Sequence, residues 1–167
     1  GPIGLETALY ARTQGYPVTV YERGDVGANL RDWVHIRLFS PWSYNRSPLA
    51  VRRLRETGAP EMDEAYCPTG AEMVRDFLDP VARLPELDGC VRTHTVVVAC
   101  GRSDLLKKDS QAKRVGRPFN LLVRDAQGDE RIEVADVVVD ATGVYGSHNQ
   151  LGQGGIPAPG GCRGIFP

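Results

Sequence analysis

The chain has 167 residues, of which 41% are hydrophobic and 25% charged, with a formal net charge of −1. That length suits one domain with a core of its own, and the balance is close to the soluble globular average, so neither a disordered nor a membrane class is favoured. The near-neutral charge gives no global attraction to nucleic acid or anionic lipid, and no apolar stretch approaches the roughly 18 residues of a spanning helix.

Ile3, Leu5, Ala8 and Leu9 fall at helical spacing, so a helix is expected from about residue 3 to Gln14, stopped by Gly15. Val18-Thr19-Val20-Tyr21 is rich in β-branched residues and reads as a short strand. Residues 23–46 hold Gly24, Gly27 and Pro41 with little periodicity and are expected to be a long ordered loop. Ser47-Pro48 has the form of an N-cap followed by proline at the first helical position, with the helix running to about Thr57 before Gly58. Thr69-Gly70-Ala71-Glu72 has the spacing of a capping box, opening a helix over Met73, Val74, Phe77 and Leu78 that Asp79-Pro80 should kink or restart.

Beyond residue 91 the texture changes. Val96-Val97-Val98-Ala99 is expected to be a buried strand, and Phe119–Arg124 with Arg131–Val134 a hairpin around Ala126-Gln127-Gly128. Val137-Val138-Val139 is a second unbroken apolar run, which suggests a central parallel strand covered on both faces. The glycine- and proline-rich tail from Gly146 is expected to be loop. The fold class that results is α/β, a mainly parallel sheet with a small antiparallel insertion.

The chemistry concentrates at the start. Gly1-Pro2-Ile3-Gly4 begins the first helix, and Glu22 ends the next strand, close to the roughly 20-residue separation of the dinucleotide-binding fingerprint. Glycines let a pyrophosphate approach the backbone, the helix start directs free N–H groups and a positive dipole end at it, and the acid can accept hydrogen bonds from a ribose. In the pattern G-x-G-x-x-G, Gly1 stands as the second glycine and Gly4 as the third. The first glycine and the strand before it are therefore expected to precede this chain, which reads as part of a longer protein.

These features resemble the FAD-binding domain of the two-dinucleotide flavoproteins, the class of pyridine-nucleotide oxidoreductases and flavin-containing monooxygenases. The resemblance rests on Gly1, Gly4, Ala8, Gly15, Val18, Val20 and Glu22, and on Ala141-Thr142-Gly143 after the valine run. It implies a Rossmann-like FAD/NAD(P)-binding domain over residues 1–167 that lacks its first strand, its nicotinamide domain and its final FAD-binding segment. It further implies a pyrophosphate site at Gly1, Pro2, Ile3 and Gly4, a ribose site at Glu22 with Arg23 beside it, and main-chain contact to adenine at Val97. Gly27 and its surroundings would face the flavin, and Ala141, Thr142 and Gly143 would close a strand near the cofactor. NAD(P)H is implied as co-substrate of the full-length protein.

The branch follows from what is present and what is not. No C-x-x-x-x-C pair follows Glu22, which disfavours the disulfide reductases. Ile156-Pro157-Ala158-Pro159-Gly160 resembles the segment after Ala-Thr-Gly in the monooxygenases. A catalytic residue is not singled out, because flavin chemistry asks of the protein mainly orientation and electrostatics. The fragment alone is expected to lack turnover and, with strand edges unpaired, to be poorly soluble. An NAD(P)-binding dehydrogenase without flavin and a non-catalytic dinucleotide-binding module remain open as alternatives.

The remaining features are read as ordinary. Cys67, Cys90, Cys100 and Cys162 have no metal spacing and are expected to be reduced thiols of a cytoplasmic protein rather than disulfides. His35, His94 and His148 sit at neither metal nor triad spacing, so no metal site is expected. Arg102, Lys107, Lys108, Lys113, Arg114 and Arg117 form a basic loop without the interleaved aromatics of a base-stacking surface. A solvated loop is favoured there over nucleic acid, and attraction of an anionic nicotinamide cofactor is a third reading. No membrane partner is expected; substrate and oligomeric state are left undetermined.

Overall fold

Helix α1 spans Pro2–Thr13 in a computed structural model that describes residues 1–145, 152–157 and 159. Proline at its start forfeits an N–H that no helix could have bonded, and Gly15, at φ +84°, turns the chain out where the sequence places the stop. Leu5, Ala8 and Leu9 are buried on one face. Strand β1 (Val20–Tyr21) pairs in parallel with β2 (Val91–Arg92), Val20 opposite Val91 and Tyr21 opposite Arg92.

The segment expected as a loop holds two short helices, α2 (Ala28–Arg31) and α3 (Trp42–Asn45). It is laced to a later stretch of chain: the N–H groups of Leu38 and Trp42 donate to the carbonyls of Pro68 and Tyr66, while those of Gly70 and Ala71 donate to Ile36 and Val34. Helix α4 (Pro48–Glu56) has the expected cap, with Ala50 N–H donating to Ser47 Oγ at 3.0 Å. The same hydroxyl donates to the Glu6 carboxylate, which ties α4 to the middle of α1.

The capping box also forms, Glu72 N–H to Thr69 Oγ1 at 3.2 Å and Thr69 N–H to Glu72 Oε2 at 2.7 Å. It starts a helical run made of α5 (Gly70–Glu72), a wider π turn (Met73–Leu78) and α6 (Asp79–Ala82). The π turn is how the chain absorbs Pro80, whose ring cannot continue an α-helix; the helix restarts with Pro80 in its first turn, where no N–H is needed. Leu9, Leu78, Val81, Leu84 and Leu87 are the fully buried centre of a core that these helices share with Trp42, Leu54 and Phe77.

A three-stranded antiparallel sheet follows, β3 (Val96–Arg102), β4 (Phe119–Arg124) and β5 (Glu130–Ala135), in that order. The one-turn helix α7 (Gln111–Arg114) lies in the β3–β4 connection. Asp125 Oδ1 accepts from Gln127 N–H and Asp129 N–H and shapes the hairpin turn.

Three expectations are corrected. β3 exists, but Val97 and Val98 are about 40% exposed, 39% and 42% respectively, because β3 is an edge strand rather than a buried central one. Val137-Val138-Val139 joins no strand among the described residues, and Val137 and Val139 stand 75% and 59% exposed. An apolar run announces that it will be buried when neighbours exist; it cannot supply them. The expected mainly parallel sheet is consequently a two-stranded parallel pair, and most strand residues are antiparallel. The architecture is therefore mixed helix and strand, with a small parallel and a larger antiparallel sheet. Among the described residues no helix is long and apolar enough to cross a membrane. Most of the tail from Gly146, with His148 and Cys162, lies outside the described residues.

Candidate functional site

The site is built at the start of α1. In any α-helix the first N–H groups lack intrahelical partners, and here Leu5 N–H is the first to close the ladder, on Gly1 O at 3.1 Å. No side chain caps this end, and the first turn carries no acid. Ile3 and Gly4 thus present unbonded N–H groups at the positive end of a helix of 12 residues.

Glu22 faces this end. It follows β1 directly; its Oε1 accepts from Gly24 N–H at 3.1 Å, and its Oε2 lies 3.3 Å from the terminal ammonium that Gly1 carries in this chain. The backbone around it is braced by the start of the next crossing: Thr95 N–H donates to Glu22 O at 3.0 Å and His94 N–H to Gly24 O at 3.3 Å. His94 takes a left-handed φ of +51°, and its Nε2 lies 3.1 Å from Asp25 Oδ1. Arg23 is exposed and makes no ion pair among the described residues.

Ala141 also lies against the helix start. A Cβ added at Gly4 would lie 3.6 Å from Ala141 Cβ, which is ordinary contact, and one added at Gly1 would meet nothing within 4 Å. The chain's own packing therefore leaves room for side chains at both glycines. Asp140 Oδ1 accepts from Thr142 Oγ1 at 2.7 Å and from Thr142 N–H at 3.0 Å, which orders the Ala141-Thr142-Gly143 turn. These bonds hold the Asp140 carboxyl below its ordinary pKa, the hydroxyl contact being the larger cause.

Gly1, Pro2, Ile3, Gly4, Glu22 and Ala141 are thus brought to one place. Val97 is two residues beyond the Thr95 that braces Glu22, at the edge of β3 where a bulge interrupts the register. Gly27, expected to face the flavin, caps α2 at φ +71°, and a Cβ there would come within 3.0 Å of Val74 and 3.1 Å of Leu78. The left-handed φ and the close packing each favour glycine at this position. The motif reading missed the bracing by Gly24, His94 and Thr95, since backbone contacts across a crossover leave no sequence pattern.

A depression of about 280 Å³ lies past the ends of β1 and β2, bordered by Asp25, Arg31, Asp79 and Thr93 among others; its lining does not include Gly1, Gly4 or Glu22. Arg31 closes one side by a two-pronged bond to Asp79 at 2.9 and 3.0 Å. Much of the basic loop's charge is spent on the loop itself. Arg102 donates to the carbonyls of Arg114 and Arg117 and lies 4.1 Å from the Phe119 ring centroid, Arg114 donates to the carbonyls of Lys107 and Asp109, and Lys113 pairs with Asp109. Among the described residues Cys67, Cys90 and Cys100 are free thiols, and no group of His, Cys, Asp and Glu could hold a metal ion. No protein-family model, curated protein or solved structure matches the chain.

Proposed function

We propose that this chain is the FAD-binding portion of an NAD(P)H-dependent flavin oxidoreductase of the monooxygenase-like branch, built on a Rossmann-like domain. The observation that carries the reading is the pairing of Glu22 with the start of α1. An acid just after β1 is held by Gly24 N–H and lies, with its other oxygen on the terminal ammonium of Gly1, beside a helix start that has unbonded N–H groups and two glycines with room around them. The donor set suits a dinucleotide: N–H groups and a positive dipole end for the phosphates, and a carboxylate acceptor for a ribose hydroxyl.

In this reading Ile3 and Gly4 donate to the pyrophosphate, Glu22 accepts from the adenosine ribose, and the Ala141 turn borders the same end of the helix. When bound, the flavin supplies the hydride and oxygen chemistry. The residues of this chain bind and orient, and none is assigned to proton transfer.

The test is titration of the purified protein with FAD, and separately with NADH and NADPH, followed by flavin absorbance and by flavin or nicotinamide fluorescence. FAD binding that weakens in Glu22→Gln is the expected result. Binding of NADH or NADPH without FAD would move the reading to a flavin-free dehydrogenase, and no binding of any of them would sink it.

A further inference from the structure

The two edges of the antiparallel sheet are unlike. β3 carries the irregularities that keep an edge from pairing, a bulge between Val97 and Ala99 and a glycine at position 101. β5 has none of them. It runs in unbroken register with β4 from Glu130 to Ala135 and contains no proline, glycine or lysine. Among the described residues its backbone bonds only to β4, so its outer row of N–H and C=O groups is open. Two of its apolar side chains, Ile132 and Val134, are 59% and 65% exposed.

We propose that β5 is an interface between two copies of this chain, paired antiparallel about Ile132, and this holds whichever cofactor the protein binds. The charge pattern selects both the occupant and the register. In a two-fold antiparallel pair centred on Ile132, Arg131 of each copy faces Glu133 of the other, on the same side of the extended sheet. The adjacent two-fold registers, centred on residue 131 or 133, set Arg131 against its own copy or Glu133 against its own copy. Like charges directly opposite are unfavourable, so only the first register is self-complementary. Both side chains remain reachable: Arg131 and Glu133 pair along the strand at 2.7 Å while 38% and 33% exposed. Pairing continues the sheet across the axis and brings Ile132 of the two copies together.

Sedimentation of the chain over a micromolar concentration range tests this directly. The native chain should approach twice the monomer mass. Arg131→Glu and Glu133→Arg should each raise the dissociation constant by about tenfold or more, since each sets like charges opposite one another. Mixed together, these two variants should form a heterodimer, because the acidic edge of one then faces the basic edge of the other. Should a single variant misfold by circular dichroism, the double exchange Arg131→Glu with Glu133→Arg keeps both the strand pair and the register with signs reversed, and should dimerise like the native chain. A native chain that stays monomeric, folded single variants that dimerise as tightly as native, a mixture of them that stays monomeric, or a folded but monomeric double exchange would each overturn the proposal.

Discussion

Replacing Gly1 and Gly4 with alanine, one at a time, separates a ligand's demand for glycine from the protein's own. Position 4 is helical, and the new methyl would sit 3.6 Å from Ala141 Cβ, so nothing in the fold resists it. Alanine outdoes glycine in a helix by up to about 1 kcal/mol, and less in a first turn, which moves Tm upward by no more than roughly 2–4 °C in a domain of this size. At Gly1, the second glycine of the pattern, a methyl would meet nothing of the protein within 4 Å, yet it would stand where a pyrophosphate approaches the backbone, so Gly1→Ala should lower dinucleotide affinity by about tenfold or more, about 1.4 kcal/mol. Gly70→Ala is the contrasting control. There the methyl would lie 2.7 Å from Leu30 O and 2.8 Å from Trp33 O, backbone atoms that cannot swing aside. That overpacking should cost about 1–3 kcal/mol of stability. Thermal melts and FAD titrations of the three variants give the readout. A Gly1→Ala protein that binds FAD as tightly as native refutes the pyrophosphate site, and a Gly4→Ala protein that melts several degrees lower refutes the packing account.

Glu22→Gln should weaken FAD binding by roughly 10- to 100-fold, the loss of a charge-assisted hydrogen bond of about 1.5–3 kcal/mol, with little change in Tm because the amide oxygen can still accept from Gly24 N–H; calorimetric titration checks it. Leu9→Ala, at a side chain with 0% exposure, should cost about 2–5 kcal/mol in chemical denaturation. Acid should expose the capping box. Thr69 N–H, aided by Tyr66 Oη and opposed by desolvation, holds the Glu72 carboxyl below its ordinary pKa. The stability it contributes is therefore complete above the unfolded value of about 4.3 and is lost as pH falls through the lower folded value. Denaturation midpoints of native and Glu72→Gln proteins should converge as pH drops below about 4; a gap that widens would show the sign to be wrong.

What was legible in the sequence was local. Ser47-Pro48 with Gly58, Thr69 with Glu72, and Gly15 after α1 all stand where their caps predict, because a cap is settled by a few consecutive residues. The same holds for the hairpin around Gly128. The helices α2 and α3 were not legible: each is about one turn long, too short for a periodic pattern, and the surrounding loop is held by bonds to residues 64–71. At the site, the glycines and Glu22 were visible as a spacing, whereas the approach of Ala141 to Gly4 joins residues from opposite ends of the chain.

The sequence by itself determined the caps, the helix faces and the spacing that sets Glu22 against the glycines of α1, since each depends on the identity of near neighbours or on the short run from α1 to β1. Only the tertiary structure decided which apolar runs are covered. Val137-Val138-Val139 and Val96-Val97-Val98-Ala99 read alike as buried strands, yet one forms an exposed edge and the other pairs with nothing among the described residues. Burial belongs to a surface and its partner together, and hydrophobicity along one segment records only the first of the two.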